Sequence, residues 1–211
     1  MAIISTGPGP QDMWQDNMPE QRKIILASAS PRRREILSMT GLKFSVDAGG
    51  YEEDMDLALK PRRLARFLSS EKAKAIAVKY INALVIAADT FIVFRGSLLG
   101  KPHTRVEARR MLDLLNGKTH SVITGFTIID TSTKKKLSRS VETRVYIRKL
   151  TVEEIEAYIG TGEPLDKAGA YAIQGTGAVI VKKIEGDYFN VMGLPLSSLT
   201  EALKKFGVYV L

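Results

Sequence analysis

The chain has 211 residues, 45% hydrophobic and 26% charged, with 31 Lys and Arg against 23 Asp and Glu for a formal net charge of +8. This is the composition of one globular domain, or one with two lobes, and no apolar run approaches the roughly 20 residues of a membrane-spanning helix. With no cysteine, disulfides, thiol nucleophiles and thiolate metal sites are excluded, while the positive balance favours an anionic partner without choosing among nucleic acid, acidic lipid and phosphorylated small molecules.

Residues 1–23 include Gly7-Pro8-Gly9-Pro10 and no apolar periodicity, and read as a flexible N-terminal extension, not as a secretory or transit peptide. The expected compartment is the cytoplasm, and residues 24–211 read as a single domain. Residues 24–27 predict a strand; Ser30 as N-cap, Pro31 at the first helical position, and Ile36 and Leu37 on a buried face predict a helix directly after it. Leu64, Phe67, Leu68, Ala75 and Ile76 predict a helix from residue 62 to about 80, with Lys72 on its inward face, where an ammonium must snorkel or meet an anion. Residues 84–88 have the length and branching of a central strand and 91–95 continue extended, so Asp89 is expected at the carboxyl end of a buried strand.

Ala108, Met111, Leu112 and Leu115 repeat at helical spacing, and Gly117 closes that helix. Two Val-, Ile- and Thr-rich stretches, 119–131 and 137–149, flank Lys134-Lys135-Lys136 and predict a β-hairpin whose lysines form a solvated tip, a better reading than a DNA contact. Thr151 and Glu154 form a capping box for a helix to about residue 159. A strand at 178–184, a turn at 185–187 and a helix carrying Leu196, Leu199 and Leu203 up to Gly207 complete an α/β order.

Spacing eliminates several familiar motifs. Gly117-Lys118-Thr119 and Gly100-Lys101-Pro102 both fail as phosphate-binding P-loops, and Gly175-Thr176-Gly177 lacks the third glycine of a dinucleotide fingerprint. More informative is the segment 28–35, where Ser28, Ser30 and a run of arginines meet a helix N-terminus. It reads either as a phosphate cradle, with Arg32 and Arg33 as ligands and Arg34 outward, or as a capped helix with a solvated basic face. Asp89 is either a turn former or a carboxylate at a ligand site; Lys72 and Lys101 supply cations for the second reading. Glu52-Glu53-Asp54 reads first as a solvated acidic loop, with metal ligation as its alternative.

In chain order, SASPRRREIL (28–37), EKAKA (71–75), AADT (87–90), GKP (100–102), GKTHSVITGF (117–126), EPLDKAGAYAIQG (163–175) and GLPL (193–196) resemble the Maf family of nucleotide pyrophosphatases. The resemblance runs from about residue 24 to 207. It implies an α/β fold, a long mixed twisted sheet with helices and two lobes around a central cleft, similar to the inosine triphosphate pyrophosphatases. It also implies house-cleaning hydrolysis of nucleoside triphosphates to monophosphate and pyrophosphate with a divalent metal, Mg2+, Mn2+ or Co2+. Position by position, the proton acceptor falls on Asp89, the specificity positions on Arg32, Thr90 and Gln174, and phosphate contacts on Lys72 and Lys101. Ser28 and Arg33 fall in the signature loop, and Glu53 and Asp89 at the metal.

Ile173-Gln174-Gly175 resembles the branch acting on dTTP and UTP. A glutamine amide has a donor and acceptors for the O4 and N3–H edge of uracil or thymine, whereas an ionised carboxylate only accepts. The resemblance further implies a homodimer, while the lack of a long apolar run argues against a membrane partner and the hairpin reading of the lysine run against nucleic acid. The alternatives are a nucleotide-sensing or nucleic-acid-binding regulator without catalysis, or the same chemistry on 7-methyl-GTP or inosine or xanthosine triphosphate. On the enzyme reading, Arg32, Arg33, Lys72 and Lys101 neutralise the triphosphate, and Asp89 activates water as general base or through a bound metal.

Overall fold

The computed structural model describes residues 22–49 and 57–211. Strand β1 (Lys23–Leu26) runs into helix α1 (Pro31–Ser38), followed by the short strand β2 (Ser45–Val46). Helix α2 (Pro61–Ala77) leads to the long strand β3 (Ala83–Phe94), which turns back into β4 (Ser97–Leu99). Helix α3 (Arg105–Leu115), strands β5 (Thr119–Asp130) and β6 (Lys136–Ile147), and helix α4 (Val152–Gly160) come next. Short 3-10 segments at Glu163–Asp166, Ala168–Ala170 and Gly175–Ile180 precede β7 (Val181–Glu185), α5 (Tyr188–Met192) and α6 (Leu196–Leu203).

Local chemistry sets most of these boundaries. Ser30 caps α1, Thr104 caps α3, and Thr151 with Glu154 forms the reciprocal capping box of α4. Helix α2 ends at Ala77, short of residue 80, and Lys79 and Tyr80 turn to hydrogen-bond the Asp47 carboxylate. Phe67, expected on the buried face of α2, is partly exposed. The strand expected at 178–184 starts only at Val181, since residues 175–180 coil into a 3-10 segment whose first amides bond a glutamate side chain and not a neighbouring strand. Of the expected extension 1–23, residues 1–21 lie outside the described residues; Lys23 opens β1, and Arg22 is paired with the buried Asp130.

Among the described residues the strands form one mixed sheet in the order β2-β1-β3-β5-β6-β7, with β4 beside β3. β1 pairs in parallel with β2 and β3, and the remaining pairings are antiparallel. The parallel β1–β3 pair is possible because α1 and α2 lie on the connection between them, while β5 and β6 need only a tight turn. β5 covers one edge of β3 along residues 84–93. The other edge is divided: β1 pairs with residues 83–86 and β4 with 92–94. Residues 87–91 have no strand partner on that edge among the described residues, leaving a notch about 16 Å long at roughly 3.3 Å per residue. Asp89 therefore sits inside β3 and not at its carboxyl end; the strand that ends close by is β1.

Alternation along β3 separates two faces. On one, Leu84, Ile86 and Ala88 join a core with α1 and α6, Ile92 and Phe94 join another with α3 and α4, and Thr90 stands between them. These two cores give the sheet two lobes. On the other face, α2 packs Ala73 and Ile76 against Val85 and Ala87, and Leu64 and Leu68 against Phe91, with Asp89 between. Gly125 lies opposite Asp89 on β5, and a Cβ there would stand 2.1 Å from the carbonyl oxygen of Ala65. Glycine is thus what lets α2 lie close over the sheet. None of the described helices is long and apolar enough to cross a membrane.

Candidate active site

Two loops border the notch. After Leu26 the Ala27 amide still bonds the Ile86 carbonyl at 2.7 Å, and the chain then leaves the sheet through Ser28, Ala29 and Ser30 into α1. On the far side, β4 ends into Gly100 and Lys101, and the Gly169 amide donates to the Gly100 carbonyl at 2.9 Å. The arginine-rich loop and the lysine loop thus flank the same uncovered stretch of β3.

Arg33 is the brace of this region. Its Nε donates to the Gly193 carbonyl (2.9 Å), one terminal nitrogen to Ser28 Oγ (3.1 Å) and the other to Thr90 Oγ1 (3.1 Å). Thr90 Oγ1 lies 2.9 Å from Thr124 Oγ1, which donates to the Asn190 carbonyl. The planar fork holds α1, β3 and the loop after α5 in one arrangement, which a flexible ammonium would not reproduce. Gly193, at φ +114°, adopts a conformation L side chains rarely take. Arg34 is exposed, as its place on α1 predicts, and Arg32 is half-buried.

Asp89 faces away from Thr90, toward α2, where its Oδ1 accepts from Lys72 Nζ in a buried ion pair. Its Oδ2 is buried with no partner among the described residues. An unsatisfied carboxylate oxygen costs desolvation energy that a proton, a cation or water would relieve.

Two adjoining hollows share Ser30, Arg32, Arg33, Lys101 and Asp166. The larger, about 460 Å³, also takes in Ser28 and Lys72; the smaller, about 130 Å³, reaches Thr90, Lys167, Tyr171 and Ile173. A site of this size and charge suits a polyanion more than an apolar ligand. Lys167 pairs with Asp166; burial pushes the Asp166 carboxyl up, but that bond and the positive Lys167 and Arg32 hold it below its ordinary value. The Tyr171 hydroxyl lies 2.7 Å from His120 Nε2. Burial pushes the tyrosine hydroxyl up and the imidazole down to about 4, so both are neutral near pH 7.

A family model described as Maf-like protein matches residues 23–206. The chain belongs to the Maf family. Maf relatives align over nearly all of their own length. A protein of Methanosarcina barkeri named dTTP/UTP pyrophosphatase is 50% identical over 190 residues, 90% of this chain and 96% of the relative. Proteins of the same name from Thermoanaerobacter pseudethanolicus and Moorella thermoacetica are 53% and 48% identical, covering 87% and 89% of this chain and 96% and 97% of theirs.

Of the positions that resemble Maf signature residues, Ser28, Arg32, Arg33, Lys72, Thr90 and Lys101 line the two hollows. Asp89 lines neither; it stands behind Lys72. Gln174 is half-buried and follows Ile173, which does line the smaller hollow. Glu53 lies outside the described residues. Asp166, Lys167 and Tyr171 were not singled out from the sequence although they line the site. Their only sequence signal is membership of the Maf-like stretch 163–175, because 3-10 turns carry no apolar period.

Proposed function

We propose that this chain is a nucleoside triphosphate pyrophosphatase that cleaves dTTP and UTP between the α and β phosphates, releasing monophosphate and pyrophosphate and clearing surplus or modified nucleotides. The observation that carries this reading is the strand notch at residues 87–91, flanked by Arg32, Arg33, Lys72 and Lys101 and adjoining one buried carboxylate oxygen. A triphosphate lying across the Ser28–Arg33 loop meets fixed cations and the N-terminal amides of α1, which stabilise charge moving onto the pyrophosphate leaving group. Lys72 holds Asp89 by Oδ1, leaving Oδ2 either to take a proton from the attacking water or to hold a cation. Gln174 reads the O4 and N3–H edge of the pyrimidine.

A divalent cation fits this donor set. Asp89 offers an oxygen without a partner among the described residues, and Mg2+ or Mn2+ characteristically takes one or two carboxylates together with substrate phosphates. Asp89 and Glu53 would hold it, and it would neutralise phosphate charge. The test is product analysis with UTP, dTTP and 7-methyl-GTP, with and without chelator. Pyrophosphate and monophosphate are expected, fastest from the pyrimidine nucleotides, lost on chelation and restored by Mg2+ or Mn2+. Release of orthophosphate, or tight nucleotide binding without turnover, overturns the reading.

A further inference from the structure

The Gly175-Thr176-Gly177 turn, which fails as a dinucleotide fingerprint, is occupied by a carboxylate from the chain itself. Glu163 Oε2 accepts from the Thr176 amide (3.0 Å) and Oε1 from the Gly177 amide (3.0 Å). Oε1 also accepts from the Tyr158 hydroxyl (2.8 Å), and that hydroxyl oxygen accepts from the Ala172 amide (3.1 Å). Both glycines are required by the contact. A Cβ on Gly175, already at φ +64°, would lie 2.6 Å from Glu163 Oε2, and one on Gly177 would lie 2.5 Å from the Tyr158 hydroxyl. The turn is a nest of N–H groups closed by an internal anion.

Gln174 lies between the two points where the clamp grips the backbone, Ala172 before it and the Thr176 and Gly177 amides after it. We infer that Glu163, with Tyr158, is a positioning residue for base selection: it fixes the backbone on either side of Gln174 so that the amide meets the pyrimidine in one orientation. This rests on the reading of Gln174 given under Proposed function. Neither Glu163 nor Tyr158 lines either hollow, so the clamp reaches the substrate only through the backbone it holds, at Ala172, which lines the smaller hollow, and on the far side of Gln174.

The experiment compares Glu163→Gln, Tyr158→Phe and Gln174→Ala in the full chain. It reads kcat and KM for UTP and GTP, and inhibition by inorganic tripolyphosphate, which engages the cations but carries no base. Glutamine keeps one acceptor and puts an NH2 where a backbone amide donates, so Glu163→Gln is expected to raise KM for UTP about tenfold with kcat within about twofold. The UTP-over-GTP preference should fall about tenfold, and tripolyphosphate inhibition should stay unchanged. Tyr158→Phe should shift the same quantities in the same direction, and it decides the matter if Glu163→Gln does not fold. If Gln174→Ala loses the preference while the clamp variants keep it, the positioning role is wrong and the reading of Gln174 stands. If Gln174→Ala keeps the preference, that reading fails and the inference with it. A loss of tripolyphosphate inhibition parallel to the loss of UTP turnover marks a merely structural residue and overturns the inference.

Discussion

Lys72 on α2 and Asp89 on β3 form a buried ion pair across the layer between helix and sheet, with side chains 16% and 5% exposed. Removing Lys72 strands the Asp89 carboxylate in a low-dielectric layer, a loss of about 3–5 kcal/mol, whereas replacing both by apolar groups removes the stranded charge as well. Lys72→Met should lower stability to urea strongly, and the Lys72→Met/Asp89→Leu double variant should be more stable than Lys72→Met alone. Asp89→Asn should bind UTP in calorimetry yet release no pyrophosphate. Near-normal turnover by Asp89→Asn would remove Asp89 from the chemistry.

Arg33 and Arg32 are neighbours in sequence with separable roles. Arg33 spends its fork on Ser28, Thr90 and Gly193, and Arg32 takes part in none of these bonds. Arg33→Lys keeps the charge but cannot span three acceptors, so a fall of about 1–3 kcal/mol in stability is expected together with weaker UTP binding. Arg32→Ala should leave the melting temperature nearly unchanged and weaken UTP binding. Thermal melting and KM on the two variants separate brace from ligand.

What the sequence made legible was local. Caps at Ser30 and Thr151, the apolar period of α3 and the β-branched runs of β5 and β6 are properties of neighbours along the chain, and they place those elements within a few residues. The notch was not legible, because it depends on β1 stopping opposite Ile86 while β4, running back along β3, reaches no further than Ile92, a matter of long-range pairing. The opposite facing of Asp89 and Thr90 was implicit in the two-residue period of a strand and follows once β3 is seen to be continuous. The clamp of Glu163 on residues 176 and 177 lay hidden, since neither a lone glutamate nor a Gly-x-Gly turn signals its partner.

Gly125 makes the Lys72–Asp89 contact possible from a third element. Because a Cβ at this position would stand 2.1 Å from the backbone oxygen of Ala65, Gly125→Ala must push α2 off the sheet. Backbone cannot yield as a flexible side chain does, so a destabilisation of about 1–3 kcal/mol or more is expected. Displacing α2 also draws Lys72 from Asp89, so kcat should fall further than the stability loss explains at temperatures where the variant is folded. Wild-type kcat in a folded Gly125→Ala variant would show that the pair tolerates the shift.

His120 gives the site wall a dependence on pH. Its Nε2 meets the Tyr171 hydroxyl, its Nδ1 is buried without a partner among the described residues, and burial lowers its pKa to about 4. The unfolded chain, with an ordinary imidazole near 6.5, therefore binds a proton that the folded chain does not between about pH 6.5 and 4, and stability falls as pH drops through that window. At its full extent the loss is about 3 kcal/mol, and it levels off below about pH 4, where both states are protonated. Above about pH 6.5 this group contributes no slope. Carboxylates such as Asp130, held low by its backbone bonds and Arg22 against the opposing push of burial, add their own acid sensitivity in both wild type and variant. The difference between wild type and His120→Gln isolates the imidazole. Urea denaturation from pH 7.5 to 4 should show the gap between them changing steadily below about pH 6.5, with the variant losing less. Parallel curves for the two proteins would mean that the folded protein accepts a charged imidazole at this position.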